Sequence, residues 1–275
     1  KRKLMTFKDL PFFIYTNKES LPLAEIAADK LLEFSPESIN LSIVSNKIKE
    51  NFNPKYKDLY FLSNIDRNDG YQFSNTVKLF LENVDSEYIF LLCDDYMTTS
   101  ALKEDEINNI LSFLKKYKVD YICFQKRDKN RTEKYKVFYT EEYGNNLHLV
   151  PDSETCRFSV QPSIWKTSVL KELLNSNELM DVHVFEQLKP TNKYLTLGVN
   201  WHNLTNNPSI DPSPELEFIY NYVEVVRHGV FYFYENGFPI SKTNYLSNYI
   251  RKLINEYKMY NDDLYKKIMS KITDY

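Results

Sequence analysis

Asp94-Asp95-Tyr96 stands directly after the apolar run Tyr88 to Cys93 (YIFLLC). In an open α/β sheet, ligands bind outside the carboxyl ends of the strands. Mg²⁺ or Mn²⁺ is typically held by one or two carboxylates, with water and substrate phosphates completing the sphere. The acidic pair is therefore a candidate metal-phosphate site, which implies a nucleotide partner. The plainer alternative is that the two aspartates terminate the strand and cap the following loop. Other motifs are absent: with 5 glycines there is no P-loop and no G-x-G-x-x-G. The four histidines His148, His183, His202 and His228 show no H-x-x-H or H-E-x-x-H spacing, so a protein-only zinc site is not expected. His148 and His183 read as surface residues.

The elements around the acidic pair alternate strand and helix. Pro11 to Thr16 is a short apolar run, and Pro22 to Phe34 carries Leu23, Ile26, Ala27, Leu31 and Phe34 on one helical face. Asn40 to Ser45 and Leu59 to Leu62 predict further strands. Phe73 to Val84 has a helical stripe, with Ser74 as its N-cap. Tyr88 to Cys93, apolar throughout, predicts a central strand covered on both faces. Ile107, Ile110, Leu111 and Leu114 mark another helix, and Val119 to Phe124 returns as a strand. Repeated βα units give an α/β chain with a mostly parallel, Rossmann-like central sheet flanked by helices.

After residue 125 the reading changes character. Lys126 to Lys136 is a charged loop or hairpin. A helix is expected from about Ile164 to Leu174, and Met180 to Asn207 reads as irregular. Glu215 to Val226 looks helical, Val230 to Tyr234 extended, and Tyr245 to Ile272 amphipathic through Leu246, Ile250, Leu253 and Ile254. The expected organisation is one domain over 1–240, with a nucleotide-binding half at 1–125 and an acceptor-binding half at 126–240. A C-terminal helical extension over 241–275 follows.

Composition narrows the classes. The 275 residues carry a formal net charge of -3, so no sequence-wide basic excess drives nucleic-acid binding. No apolar run approaches the roughly 20 residues that a bilayer crossing needs. The three cysteines, Cys93, Cys123 and Cys156, are widely spaced and read as buried free thiols of a reducing, cytoplasmic compartment. The mixed Lys and Asp content of Tyr245 to Tyr275 favours packing on the core or against a second copy over a peripheral place on a membrane surface. The chain opens on Lys1 without a methionine, so an excised domain of a larger protein is one expectation.

The run DGYQFSNTVKLFLENVDSEYIFLLCDDY, followed by SVQPSIWKTSVLKELL and then VFE, resembles the GT-A glycosyltransferases, in particular a family of bacterial and viral surface-polysaccharide enzymes. GVFYFYENG resembles the closing segment of that family, and the likeness spans about residues 8 to 232. It implies a nucleotide-sugar donor, a glycan acceptor and Mn²⁺ or Mg²⁺. On this resemblance the pair stands in place of a strict Asp-x-Asp, so either aspartate can be the metal ligand, with Asp95 the expected one and Asp94 toward the ribose. Thr16, Asn17, Ser45 and Asn46 line the base and ribose, although turn chemistry explains such residues equally well. Asp69 and Gly70 allow close backbone approach, with a bare turn as the alternative. Glu186 is the general base of an inverting transfer, with Asp181 as its nearest rival. Gln161 and Trp165 would meet the sugar, the indole by stacking, though core packing explains Trp165 as well. His202 is a weak further candidate for the metal or diphosphate. Lys126, Arg127 and Arg131 more commonly form a solvated face than a phosphate clamp.

Two other classes stay open. Adjacent aspartates on a parallel sheet also serve metal-dependent phosphoesterases and nucleotidyltransferases, but those commonly need further acidic strand ends. Here the strand ends offer Thr16, Asn17, Ser45 and Asn46. A non-catalytic glycan-binding or scaffold domain is the third reading.

Overall fold

The computed structural model describes residues 5–16, 20–36, 39–46, 54–63, 72–98, 101–124, 132–175, 180–190 and 193–200, together with the main chain of 222–227, 230–235 and 238–239. The chain begins with β1 (Pro11–Tyr15), α1 (Leu21–Glu33), β2 (Asn40–Ser45) and β3 (Tyr60–Leu62). It continues with α2 (Gln72–Glu82), β4 (Tyr88–Cys93), β5 (Tyr96–Thr98), α3 (Glu104–Tyr117) and β6 (Tyr121–Cys123). Then come β7 (Leu147–Leu149), β8 (Ser163–Lys166), α4 (Thr167–Asn175), a one-turn helix (Val182–Glu186) and β9 (Thr196–Val199). The last strands are β10 (Tyr222–Arg227), β11 (Val230–Glu235) and β12 (Phe238–Pro239).

Eight strands form one sheet in the order β3-β2-β1-β4-β8-β6-β9-β7. The pairs β3/β2, β2/β1, β1/β4 and β6/β9 are parallel, while β8 and β7 run antiparallel to their neighbours. The expected mostly parallel α/β sheet is present, and strands from both sides of residue 125 share it. The chain leaves β1 toward β2 and β3, then returns to place β4 on the other flank of β1. That reversal makes the carboxyl ends of β1 and β4 the topological switch point, where crevices open in such sheets.

The side-chain period of two explains why β4 is apolar without alternation. Tyr88, Phe90 and Leu92 enter the core that α1 and α3 cover, where Phe90 stacks between Phe12 and Phe124. Ile89 and Leu91 enter the opposite core with Val77 and Leu81 of α2 and Leu170 and Leu173 of α4. The sheet is thus sandwiched between two helical layers.

Several expectations are corrected. The helix expected from Ile164 begins at Thr167, because Ser163–Lys166 fills the slot between β4 and β6 as a strand. Ile164 faces one core and Trp165 the other, the alternation of a strand rather than a helix. Tyr222–Arg227, read as the end of a helix, pairs with β5, as its β-branched Val223, Val225 and Val226 favour. Met180 to Asn207 is less irregular than expected, since it includes the one-turn helix and β9. Ser74 is not an N-cap: it lies inside α2, where its Oγ accepts from Met180 N at 2.8 Å and its N donates to Met180 O at 3.1 Å. His148 is buried, not on the surface, because it sits on β7 opposite Gly198, where a Cβ would come within 2.5 Å of its ring. His183 is exposed as expected. The proposed extension 241–275 lies outside the described residues. Among the described residues, no helix is long and apolar enough to cross a membrane.

Candidate functional site

The site grows from the switch point. β1 ends at Tyr15 in register with Val44 of β2 and Cys93 of β4, so the residues that follow these strands emerge side by side. Thr16 Oγ1 donates to Asp94 Oδ2 at 2.6 Å, tying together the ends of β1 and β4 at the point where strand order reverses. Ser45, wholly buried, and Asn46 lie at the end of β2. None of the described residues hydrogen-bonds the Ser45 hydroxyl. Asp94 and Asp95 form the tight turn that joins β4 to β5. β5 in turn pairs with β10, which brings Glu224 into register with Tyr96.

Glu186 closes the one-turn helix and reaches the same edge of the sheet. Its Oε1 accepts from Ser159 Oγ at 2.8 Å and from Val160 N at 3.1 Å. Val160 O accepts from Cys93 Sγ at 3.3 Å, and Cys93 immediately precedes Asp94. Gln161 follows, half-buried, with its N donating to Ser159 Oγ at 3.3 Å. Ser163, two residues on, pairs with Leu91, so this segment enters β8 beside the end of β4. Asp95, Asp94, Cys93, Gln161 and Glu186 are therefore brought together.

The electrostatics reflect that crowding of acids. Burial pushes the Asp94 carboxyl from its ordinary 3.8 up to about 7, opposed by hydrogen bonds from Thr16, Ser20 and the backbone. Burial holds the Cys93 thiol well above its usual value, and the charges of Asp95, Asp94 and Glu186 add to the effect. The Tyr15 phenol is raised as well, by burial first and then by Cys93, Asp94 and Asp181. Among the described residues no three His, Cys, Asp or Glu side chains form a metal cage. The turn offers the hard carboxylate oxygens that suit Mg²⁺ or Mn²⁺ shared with substrate phosphates.

Two expected site residues take structural roles. Trp165 is wholly buried, against Tyr121 at 4.2 Å, Phe158 at 5.7 Å and Phe185 at 5.9 Å, and its Nε1 donates to Ser163 Oγ. An indole in that place cannot stack on a sugar. Asp181 caps the one-turn helix by accepting from Val184 N at 2.8 Å. Asn17, Asp69, Gly70, His202, His228, Lys126, Arg127 and Arg131 lie outside the described residues. The sequence reading missed Ser159 and Cys93, although SVQPSIW and YIFLLC contained both. The available signals were a thiol closing the apolar strand β4 and a serine shortly before β8.

No family model matches the chain, and no curated protein matches it. Solved structures do resemble it. An apo UDP-glucose pyrophosphorylase is 10% identical, with 91% of this chain and 99% of that one covered at a TM-score of 0.43. The S. aureus protein TarS is 11% identical, with 69% of this chain and 34% of that one covered at 0.42. A mannosyltransferase from Pyrobaculum calidifontis, in complex with GDP-Man and Mn²⁺, is 14% identical, with 69% of this chain and 56% of that one covered at 0.40.

Proposed function

We propose that the chain is a metal-dependent glycosyltransferase of GT-A type that moves a sugar from a nucleoside diphosphate donor to a glycan acceptor in surface-polysaccharide synthesis. The observation that carries this reading is the convergence of the Asp94-Asp95 turn and the Glu186 carboxylate on Cys93 and Val160, beside the switch point of the sheet. A donor site and a proton acceptor at one strand edge are what glycosyl transfer requires. Asp95 would hold the Mn²⁺ or Mg²⁺, and Asp94, fixed by Thr16, would face the ribose. When bound, the metal supplies positive charge against the departing diphosphate.

The rest falls to the chain's own groups. Ser45 and Asn46 flank the base side of the crevice, and Gln161 offers an amide to acceptor hydroxyls. Glu186 takes the proton of the acceptor hydroxyl as its oxygen attacks the anomeric carbon opposite the diphosphate. That single displacement inverts the configuration and needs no covalent sugar intermediate.

Incubation with a panel of UDP-, GDP-, dTDP- and CMP-sugars, with water or an added oligosaccharide as the acceptor that takes the sugar, tests the reading. Nucleoside diphosphate should be released with Mn²⁺ or Mg²⁺ and not in the presence of a chelator, whereas CMP release from a CMP-sugar would contradict a diphosphate donor. The anomeric coupling of the product should report inversion by NMR. Absence of release from every donor would overturn the proposal. Retention would overturn the displacement scheme alone.

A further inference from the structure

Ser159 is wholly enclosed, 1% exposed, and each of its polar groups is committed. Its N accepts nothing and donates to Tyr121 Oη at 2.9 Å, while its carbonyl accepts from that same hydroxyl at 2.9 Å. Tyr121 is in turn fixed in the core against Trp165 and Phe158. The Ser159 Oγ accepts from Gln161 N, which leaves its one proton for Glu186 Oε1. Glu186 Oε1 thereby receives two donors, Ser159 Oγ and Val160 N, and none of the described residues donates to Oε2.

From this geometry we infer that Ser159 is a positioning residue: it locks Glu186 by Oε1 and leaves Oε2 as the oxygen that takes the acceptor's proton. The inference rests on the proposed function, with Glu186 as the base. A carboxylate anchored at one oxygen by a core-supported hydroxyl keeps one orientation, and proton transfer depends steeply on that orientation. The wholly buried Trp165 then has a part in the site through Tyr121 and Ser159 rather than through contact with sugar.

The test is a double-mutant cycle on donor turnover, read as nucleotide released from the donor panel with Mn²⁺. Ser159→Ala should lower kcat by about tenfold to a hundredfold, the range for loss of a hydrogen bond to a charged group, with the donor KM little changed. In the Glu186→Gln background the same substitution should change kcat by less than about twofold, because its effect passes through the carboxylate. Ser159→Thr keeps the hydroxyl and should lose less kcat than Ser159→Ala, with the crowding of its added methyl read as a lower unfolding temperature. Unfolding temperatures of all variants separate fold from function. Losses that multiply in the double variant, or equal losses for Ala and Thr at unchanged unfolding temperature, would overturn the role of Ser159. A fully active Glu186→Gln enzyme would instead overturn the base assignment, and no release by wild type would overturn the proposed function; either takes the inference with it.

Discussion

Cys93 and Glu186 both engage the main chain of one residue, Val160: the thiol donates to its carbonyl at 3.3 Å and the carboxylate accepts from its N–H at 3.1 Å. Cys93 is the last residue of β4 and Asp94 the next, so the turn carrying the aspartates and the helix carrying Glu186 share a single support. The spacing between the Asp94-Asp95 turn and Glu186 follows from strand pairing, because Val160 leads into β8 and β8 pairs with β4. The aspartates thus follow a central strand directly, and Glu186 is tied to the segment that enters the neighbouring strand.

That support makes the Cys93 thiol a reporter. Burial, then Asp95, Asp94 and Glu186, hold it in the protonated form, and the thiolate is the species that alkylates. At pH 8 iodoacetamide should modify Cys93 in the native protein at least about tenfold more slowly than in the urea-unfolded chain. Timed alkylation followed by peptide mass spectrometry reads this, and equal rates would contradict the placement of Cys93 among the acids.

Asp94 predicts a pH dependence of stability. Its folded value, about 7, lies above the ordinary 3.8, so the folded state binds this proton more tightly than the unfolded chain. The stabilisation is complete below about pH 4 and is lost as pH rises through about 7. Urea midpoints of the metal-free protein should therefore fall between pH 5 and pH 8, and Asp94→Asn should flatten that slope. A wild-type slope equal to that of the variant would contradict the shifted carboxyl.

β4 was legible because six consecutive apolar residues between polar neighbours leave few alternatives to a strand buried on both faces, and Asp94-Asp95 was legible as an acidic pair at its end. β8 was not, because SIWK runs directly into the helical stripe of α4, and only the slot between β4 and β6 decides that those four residues extend. Trp165 was ambiguous for a related reason: an indole serves a core as readily as a sugar, and burial is a property of the assembled sheet. The pairing of β10 with β5 joins residues more than a hundred positions apart, beyond the reach of local periodicity.

Trp165 separates the two uses of an indole. With no exposed surface and three aromatic neighbours, Trp165→Ala should cost about 3 to 5 kcal/mol of folding stability, the range for a large aromatic lost from a core. Trp165→Phe should cost less and leave nucleotide affinity unchanged. Urea unfolding and calorimetric titration read the two effects; a stable Trp165→Ala protein with weakened sugar binding would contradict the buried placement.

The most direct measurement of the central claim is calorimetric titration of UDP and GDP, with and without Mn²⁺, into wild type, Asp95→Asn and Glu186→Gln. Binding of at least one nucleotide should depend on Mn²⁺ in wild type. It should weaken by more than about tenfold in Asp95→Asn, whose amide keeps the shape but loses the charge that holds the metal. It should persist in Glu186→Gln, since the proposed role of Glu186 is toward the acceptor and not the nucleotide. No Mn²⁺-dependent binding by wild type, or unchanged affinity in Asp95→Asn, would contradict a donor site at the end of β4.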